Sequence, residues 1–449
     1  MKKLFFVRCF QTARETTDRL TEKKRSRFNF TDPDKENKLI ILYPDVTYQE
    51  IEGFGGAFTE AAAVTLQTLP RQKQTEILNA YFNPKNGLGY SLCRTHINSC
   101  DFSLGNYAYA DKPNDTTLST FSIERDQKAL IPMIQKARKI RGAEFKLFAS
   151  PWSPPAWMKT NGMMNQGGKL KSKYAAVWAH YFVKYIKAYA EQGISLWGLT
   201  VQNEAKATQP WDSCVYTAEE ERDFVRDHLG PVLRKNGLGH IKIMVWDHNK
   251  ERVYERAQIA LADKKAAQTI WGLAFHWYSG DHFDNLEMTH KMFPGHKLLF
   301  TEGCQEGGPK PGIWKTGERY GHDIIGNLNH YAVGFVDWNM LLNEQGGPNH
   351  VGNFCDAPIL ANPSKKQIIY NSSYYYIGHF SRFIRPGAVR IGCSRYTDQL
   401  EATAFKNPEG SLVTVVLNRT DETIDFNLRI GTGFTPFQSL PHSIITLIC

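Results

Sequence analysis

Cysteine is scarce and unpatterned in this chain of 449 residues. Its 8 cysteines include no Cys-x-x-Cys pair and no histidine at the spacing of a zinc site. A structural zinc module and a dense disulfide framework are therefore not indicated, and we expect reduced thiols. Hydrophobic runs are short as well. None reaches the roughly 18 consecutive apolar residues that a membrane-spanning helix needs, so no membrane span is expected.

The amino terminus lacks the features of a secretory signal. Residues 1–8 have a basic tip but only four apolar residues before Arg8, which is too short for a signal-peptide core. The sequence therefore predicts a cytoplasmic protein, unless a leader has been removed. No internal repeat or low-complexity tract is evident, which argues against solenoid and disordered classes.

The charge balance is moderately basic: 54 Lys plus Arg face 45 Asp plus Glu, a net charge of +9. The densest basic stretches, residues 23–27 and 169–173, are not interleaved with aromatic residues as a groove for single-stranded nucleic acid would be. A solvated basic face is the better interpretation. A nucleic-acid or membrane-surface protein would rest on the net charge alone, so neither partner is predicted.

Strand-like runs, each followed by a helical pattern, recur along the middle of the chain. Strands that alternate with helices indicate a parallel sheet, and eight such units predict an α/β fold, a (β/α)8 barrel, over residues 50–384. Among the helices, residues 174–192 have near-helical apolar spacing, and Thr217 with Glu220 predicts a capping box. The eight runs are residues 51–58, 88–98, 143–150, 195–204, 241–246, 270–278, 297–302 and 334–340.

Both ends of the chain have a different pattern. Residues 385–449 contain short alternating strands with turn residues between them, which is typical of an all-β sandwich. Residues 1–49 are too short for a core of their own, although residues 4–10 and 39–43 look like strands. We therefore predict one small all-β sandwich domain that is built from both termini and docks on the barrel.

Two glutamates end apolar, β-branched runs, Glu204 on the fourth predicted strand and Glu302 on the seventh. A single glutamate at a strand end is most often an ion-pair or capping residue. In a (β/α)8 barrel, however, the carboxyl ends of the strands form the active face, and these two would face each other across it. Paired carboxylates in different environments are the groups that sugar hydrolysis needs.

Other polar and aromatic side chains follow the same strand ends, where they require a ligand or each other. Each also has a purely structural interpretation: Trp152 could pack the barrel mouth, His276 could be a satisfied core histidine, and Arg94 could be an ion-pair scaffold. The set comprises Arg94 and Asp101 after the second strand, Trp152 after the third, Asn203 beside Glu204, His276 and Tyr278 on the sixth, and Trp338 on the eighth.

The chain resembles glycoside hydrolase family 30, and within it the glucosylceramidase branch. The similarity rests on motifs that occur in the family's order and, with the terminal sandwich, cover nearly the full chain. Residues 246–249 depart from the family pattern, which affects contacts to the leaving group. The matching motifs are residues 53–61, 99–103, 150–161, 202–204, 276–278, 301–304, 337–339 and 353–354.

The resemblance implies a role for each matched residue. Glu204 would be the general acid/base and Glu302 the nucleophile of a retaining mechanism. Arg94 and Tyr278 are expected to lower the pKa of Glu302, whereas Glu204, with no Arg or Lys at its strand end, is expected to stay protonated. The remaining substrate contacts implied by the resemblance are Asp101, Trp152, Asn203, His276, Tyr278, Trp338 and Asn353, with Arg94 in support.

The sequence thus predicts a retaining, exo-acting β-glucosidase that needs no metal or cofactor. Its expected substrates are β-glucosides or short gluco-oligosaccharides, because the polar loop 304–312 offers little apolar surface for a ceramide tail or a bilayer. A β-1,6-glucanase, β-xylosidase or β-fucosidase of the same family is the alternative, since these differ only in the subsite walls. A more distant alternative is a non-catalytic carbohydrate-binding protein.

Overall fold

Three sheets organise the part of the chain that is described here, residues 6–31 and 38–449 of a computed structural model. The strands are β1 Phe6–Ala13, β2 Thr21–Glu22, β3 Ser26–Arg27, β4 Leu39–Glu50, β5 Gly53–Phe58, β6 Leu92–Ile97, β7 Lys146–Pro151, β8 Gly198–Thr200, β9 Lys242–Asn249, β10 Ile270–His276, β11 Lys297–Glu302, β12 Ala332–Asn339, β13 Leu341–Asn343, β14 Ile359–Asn362, β15 Gln367–Tyr370, β16 Val389–Arg395, β17 Leu400–Lys406, β18 Leu412–Asn418, β19 Ile424–Ile430, β20 Gly433–Ser439 and β21 Ser443–Ile448.

The α-helices lie mainly between the strands of the middle region. They are α1 Glu60–Thr68, α2 Arg71–Phe82, α3 Leu130–Arg141, α4 Ala175–Glu191, α5 Ala218–Phe224, α6 Gly230–Lys235, α7 Val253–Ala262, α8 Lys264–Ala267, α9 Phe283–Met292, α10 Trp314–Asn329 and α11 Ser372–Ser381. No helix in the described ranges is long and apolar enough to cross a bilayer.

Strands β5 to β12 close into a barrel in which every neighbouring pair is parallel. The predicted (β/α)8 barrel is therefore confirmed, and each predicted run overlaps one of its strands. The largest difference is at β8, which stops at Thr200 rather than at Glu204. The chain turns there, and Glu204 adopts a left-handed φ of 48° at the barrel mouth.

The barrel interior is filled by apolar side chains, and its outer face packs against the helices. Leu92, Phe148, Met244 and Leu299 are fully buried in one inner cluster. A close approach of two strands depends on Gly55, because a Cβ there would lie 1.8 Å from the Leu92 carbonyl oxygen. Two helical predictions are also confirmed: α4 spans most of 174–192, and the Thr217–Glu220 capping box is formed.

The sandwich contains strands from both ends of the chain, as predicted. β1 pairs with β21, and β4 lies between β16 and β19 in the same sheet. The sheet curls so that Asn29, just beyond β3, pairs with Phe434 on β20. β1 and β4 extend further than the predicted strands 4–10 and 39–43, and residues 4 and 5 of the first prediction lie outside the described ranges.

A third, three-stranded sheet was not predicted. β13, β14 and β15 follow the last barrel strand, and residues 344–358 between β13 and β14 form a long connection. This connection, the 344–358 segment, lies across the barrel mouth. The sheet therefore fixes a loop whose position has no counterpart in a minimal eight-unit barrel.

The barrel and both chain termini are joined through His379 of α11. Its Nδ1 lies 2.8 Å from Thr446 Oγ1 and its Nε2 lies 2.9 Å from Thr12 Oγ1. Because Thr446 Oγ1 donates its own hydrogen to the His379 carbonyl, Nδ1 must carry the ring proton and Nε2 accepts from Thr12. Burial lowers the pKa of His379 to about 3, so the ring is neutral in the folded protein.

Replacing His379 by Gln should reduce the acid sensitivity of folding. Below pH 6.5 the unfolded state binds a proton that the buried native ring refuses, so the wild-type protein loses stability as the pH falls from 6.5 toward 3. This one group accounts for a loss of about 2 kcal/mol between pH 7 and pH 5. Urea unfolding at both pH values measures it. An equal loss in H379Q would contradict this explanation.

Candidate active site

A cavity opens at the carboxyl ends of the barrel strands. Its walls come from the ends of seven barrel strands, β6 to β12, or the loops after them, and from the 344–358 segment. The lining residues are Asp101, Phe102, Trp152, Asn203, Glu204, Gln209, Trp211, His248, Asn249, Tyr278, Glu302, Cys304, Glu306, Trp338, Asn353 and Cys355.

Glu302, the last residue of β11, is fixed by two donors. Arg94 Nη1 donates to Oε2 at 2.7 Å, and Tyr278 Oη donates to Oε1 at 2.9 Å. These contacts engage both carboxylate oxygens, so the side chain has one defined orientation in the cavity.

Arg94, on β6, is fully buried beneath the cavity and uses all its nitrogens. Besides Glu302, it donates to Ser150 Oγ at 3.0 Å, to Asn203 Oδ1 at 2.9 Å and to Asp247 Oδ2 at 2.7 Å. A buried guanidinium is tolerated only when its charge and its donors are matched in this way.

Asp247 was not predicted as a site residue, yet it is the second anion of this network. It follows Trp246 at a bulge of β9, where both residues have positive φ and the register against β10 shifts. Its Oδ1 accepts from Thr301 Oγ1 at 2.6 Å, and its pKa lies below the usual range because Arg94 and His276 outweigh the effect of burial. A carboxylate directly after the fifth strand was the available sequence signal.

His276 lies behind the two glutamates and does not line the cavity. Its Nε2 is 3.0 Å from Asp247 Oδ1, and its Nδ1 is 3.4 Å from Glu204 Oε1 and 4.0 Å from Glu302 Oε1. Burial alone would lower its pKa, but the carboxylates of Glu302, Asp247 and Glu204 raise it to about 9. His276 is thus a buried cation within 4.0 Å of both glutamates, and its contact with a substrate stays a prediction.

The shared imidazole nitrogen limits the separation of the two carboxylates. Their nearest oxygens cannot be farther apart than the sum of the two distances to His276 Nδ1. The upper part of the range for inverting glycosidases, about 6.5 to 9.5 Å, is thereby excluded for these atoms, whereas the 5 Å of retaining enzymes is allowed.

The charge states of the two glutamates differ from those expected. Burial raises the pKa of Glu302 even though His276 and Arg94 oppose it. For Glu204, burial acts in the same direction, but the hydrogen bond to His276 and the charge of His248 lower the pKa overall. The prediction for Glu204 was wrong because it considered Arg and Lys near this carboxyl but not histidines.

The far end of the cavity is formed by Asp101 and two tryptophans. Asp101 is buried and accepts from Asn353 Nδ2 at 3.1 Å; burial and the Glu302 charge raise its pKa. The indoles of Trp152 and Trp338 stack on each other with centroids 5.0 Å apart, and Arg94 lies 4.8 Å from the Trp152 ring. The two rings therefore cover part of each other's faces and form a single aromatic unit at this end of the cavity.

Asn203 occupies the position between the two carboxylates and the wall. Its backbone N–H donates to the Pro151 carbonyl at 2.8 Å, and its Oδ1 accepts from Arg94. Since the carbonyl side of the amide is engaged, the NH₂ group remains as a donor for a hydroxyl in the cavity.

Several lining residues were missed by the sequence analysis. Gln209 and Trp211 belong to the long loop after β8, and His248 and Asn249 end β9. His248 Nδ1 lies 3.7 Å from Glu204 Oε1. Nothing in the sequence distinguishes Gln209 and Trp211 from ordinary loop residues. His248 and Asn249, in contrast, are polar residues at the carboxyl end of a barrel strand, and this position could have identified them.

Two groups in the described residues have metal-ligand chemistry. Glu204, His248 and His276 form one in the cavity, and Asp284, Glu287 and His330 form the other at the surface. In the first, His276 Nε2 faces Asp247, and Nδ1 faces Glu204. Ionic contacts among the protein's own groups therefore explain this cluster without a metal.

Family models match nearly all of the chain. Residues 51–384 match the glycosyl hydrolase family 30 TIM-barrel domain, and residues 387–447 match the family's β-sandwich domain. The chain belongs to glycoside hydrolase family 30. It is accordingly a glycoside hydrolase, and the resemblance that its motifs suggested is confirmed.

Relatives of this family 30 enzyme include proteins of two specificities. The lysosomal acid glucosylceramidase of Mus musculus is 39% identical over 430 residues, covering 91% of this chain and 83% of the relative. The crystal structure of SrfJ from Salmonella typhimurium has a TM-score of 0.95 and 40% identity over 99% of both chains. An endo-β1,6-glucanase has a TM-score of 0.89 and 29% identity, over 98% of this chain and 99% of its own.

Replacing Asp247 by Asn should strongly destabilise the family 30 barrel. The change removes the negative charge between Arg94 and His276 and leaves two buried cations facing each other, which should lower the free energy of unfolding by about 3 kcal/mol. Urea unfolding at pH 7 measures the loss. The matched control is Asp227→Asn, an exposed partner of Arg226, which should cost less than about 1 kcal/mol. Equal losses in the two variants would contradict the role of Asp247.

Proposed function

We propose that this glycoside hydrolase is a retaining, exo-acting β-glucosidase of the glucosylceramidase-like type. Glu302 acts as the nucleophile and Glu204 as the general acid/base. The observation that carries the proposal is that both carboxylates face one cavity within reach of the same His276 nitrogen, one of them held rigidly by Arg94 and Tyr278.

The division of roles follows from how each carboxylate is held. A nucleophile must approach the anomeric carbon in one orientation, and the donors on both oxygens of Glu302 provide it. The Glu204 carboxylate has a single hydrogen-bond contact among the described residues, to His276 at 3.4 Å, with His248 3.7 Å away, and it lies on a loop beyond the strand. Because the two carboxylates and His276 interact strongly, they titrate together, and a proton placed on Glu204 serves the leaving oxygen.

Exo action is supported by a difference in burial between the ends of the cavity. Asp101, Phe102, Trp152 and Trp338 are buried, and behind Asp101 the backbone N–H of His350 donates to the Asp101 carbonyl at 3.3 Å. The 344–358 segment thus packs behind that end, which supports the proposal that this end receives one terminal sugar.

The opposite end of the cavity, beside Glu204, is open. His248, whose Nδ1 lies 3.7 Å from Glu204 Oε1, and Asn249 line it and are only partly buried. Trp211 instead packs against the cluster of Phe102, Trp152 and Trp338. A leaving group must depart next to the general acid, so the side of His248 and Asn249 is the leaving-group side. Both residues offer hydrogen bonds, which suits a sugar or another soluble aglycone.

Lipid is a weaker substrate in this proposal. The rim segment 304–312 is polar, although Phe354, whose carbonyl accepts from the Gly308 N–H at 2.8 Å, exposes 41% of its surface beside it. One exposed ring gives little apolar area for a ceramide. We therefore propose that soluble β-glucosides and short gluco-oligosaccharides are cleaved in preference to micellar glucosylceramide.

A β-1,6-glucanase is the second candidate. It is favoured by the structural match to an endo-β1,6-glucanase, with a TM-score of 0.89 over nearly the whole chain. The blind end at Asp101 distinguishes the candidates, because an endo enzyme needs a cleft that is open on both sides of the two carboxylates.

Substituting the two glutamates should separate their roles. Glu302→Gln should abolish turnover of all β-glucosides and prevent covalent trapping by a 2-fluoro sugar. Glu204→Gln should slow substrates with poor leaving groups by about 10²- to 10⁴-fold, while the first turnover of a dinitrophenyl glucoside is spared because its leaving group needs no protonation. Burst kinetics and intact-protein mass spectrometry measure these effects.

The control for this experiment is Glu306→Gln, an exposed carboxylate at the cavity rim, which should change these rates far less. Equal loss on activated and unactivated substrates for both Glu302 and Glu204 variants would contradict the assignment. An α-configured first product, detected by NMR, would contradict retention.

The products formed from a β-1,6-linked glucan should be glucose alone from the earliest times. The closed end at Asp101 admits only a chain terminus, so one residue should be removed in each cycle. Chromatography of early time points measures the product lengths. A ladder of long intermediates would overturn exo action and favour the glucanase.

A further inference from the structure

Two cysteines face each other in the wall of the cavity. Cys304 lies two residues beyond Glu302, and Cys355 lies in the 344–358 segment. Both are buried and both line the cavity. The two loop segments that carry them are paired, since Glu306 and Cys355 form an isolated β-bridge and the Asp356 N–H donates to the Gln305 carbonyl at 2.8 Å. The backbone therefore holds the two thiols in a fixed relation.

The thiols belong to one buried cluster and contact both ends of the site. Cys304 and Cys355 lie in the same group of buried side chains, which also contains Trp152 and Trp338. Cys304 Sγ also lies 3.5 Å from Tyr278 Oη, the donor to Glu302. Cys355 Sγ lies 3.7 Å from the carbonyl of Asn353, whose side chain holds Asp101. A ligand bound to both thiols would therefore lie next to the contacts that orient Glu302 and Asp101.

The environment of the two thiols favours reaction with soft metal ions over reaction with oxidants or electrophiles. The hydrogen bond to Cys355, together with burial, raises the pKa of Cys304 well above its usual value. A thiol of this kind is a poor nucleophile toward oxidants and electrophiles at neutral pH. Soft metal ions act differently, because thiolate coordination displaces the proton.

We propose that Cys304 and Cys355 form a two-thiolate site for a soft d¹⁰ cation, such as Cu(I) or Ag(I), that closes the active-site cavity. Such ions accept two thiolates as a complete coordination sphere. Zinc prefers four ligands, and in the described residues neither cysteine belongs to a group of three or more ligand side chains. Only the effect on turnover rests on the proposed glucosidase function.

Binding is a simple exchange of ligands. One monovalent cation replaces two thiol protons, two sulfur–metal bonds form, and no electrons are transferred. The ion then lies in the wall next to Tyr278, within the space that a sugar would need. Turnover should therefore cease, and an added low-molecular-weight thiol should restore it by removing the ion.

The test uses Ag(I) as the probe, because it does not oxidise thiols under mild conditions. Calorimetry and thiolate-to-metal ultraviolet absorbance should show a tightest site that binds one ion per chain. Cys355→Val should weaken that site at least about tenfold, since one of two ligands is lost. Cys355→Ser, which keeps the size and a polar atom, gives the same readout if the valine variant does not fold.

The matched control is Cys393→Ser, which removes a partly exposed thiol of the sandwich far from the cavity. This variant should still bind one ion at its tightest site. It should also still be inhibited, when its turnover rate with silver is compared with its own rate without silver. Unchanged silver affinity in both Cys355 variants would overturn the proposal. So would loss of two hydrogens by mass spectrometry, which would show a disulfide instead. Binding without any turnover to inhibit would contradict only the glucosidase assignment.

Discussion

The buried guanidinium of Arg94 is the constraint on which the site depends. A cation this far from water costs several kcal/mol unless its charge and donors are matched. Asp247 and Glu302 match the charge, and Ser150 and Asn203 take further donors. Each partner is thereby fixed on a different barrel strand or strand end, so compensating one charge also positions the groups that surround the substrate.

The same network sets the charge available for chemistry. His276 remains a cation up to about pH 9 because it is surrounded by Glu302, Asp247 and Glu204. With Arg94 it provides two positive charges, against which Asp247 is permanently ionised. The remaining charge of the site depends on the protonation of Glu204 and Glu302. Two coupled carboxylates beside two fixed cations can exchange a proton during a reaction cycle, as acid/base catalysis by one and attack by the other require.

The loops around this centre give the cavity its direction. On one side the 344–358 segment packs behind Asp101, and on the other the end of β9 leaves His248 and Asn249 beside Glu204 only partly buried. Under the proposed function these connections, rather than the barrel strands, would decide the length of the substrate. The two wall cysteines belong to the same connections, so their proposed ligand would act on access rather than on the carboxylates' own strands.

The sequence by itself determined the architecture, because alternation of apolar strands with helices recurs locally and each of the eight runs overlaps a barrel strand. It also located Glu204 and Glu302, since an acidic residue that ends a buried strand is visible without any tertiary information. It did not reveal that Asp247 is the central anion, that His276 lies behind the glutamates, or that histidines lower the pKa of Glu204. Those properties arise from contacts between residues tens to hundreds of positions apart, such as Arg94 with Glu302 and Asp101 with Asn353. Burial and electrostatic coupling are sums over such neighbours, and only the closed barrel, with its bulge at β9 and its added three-stranded sheet, brings those neighbours together.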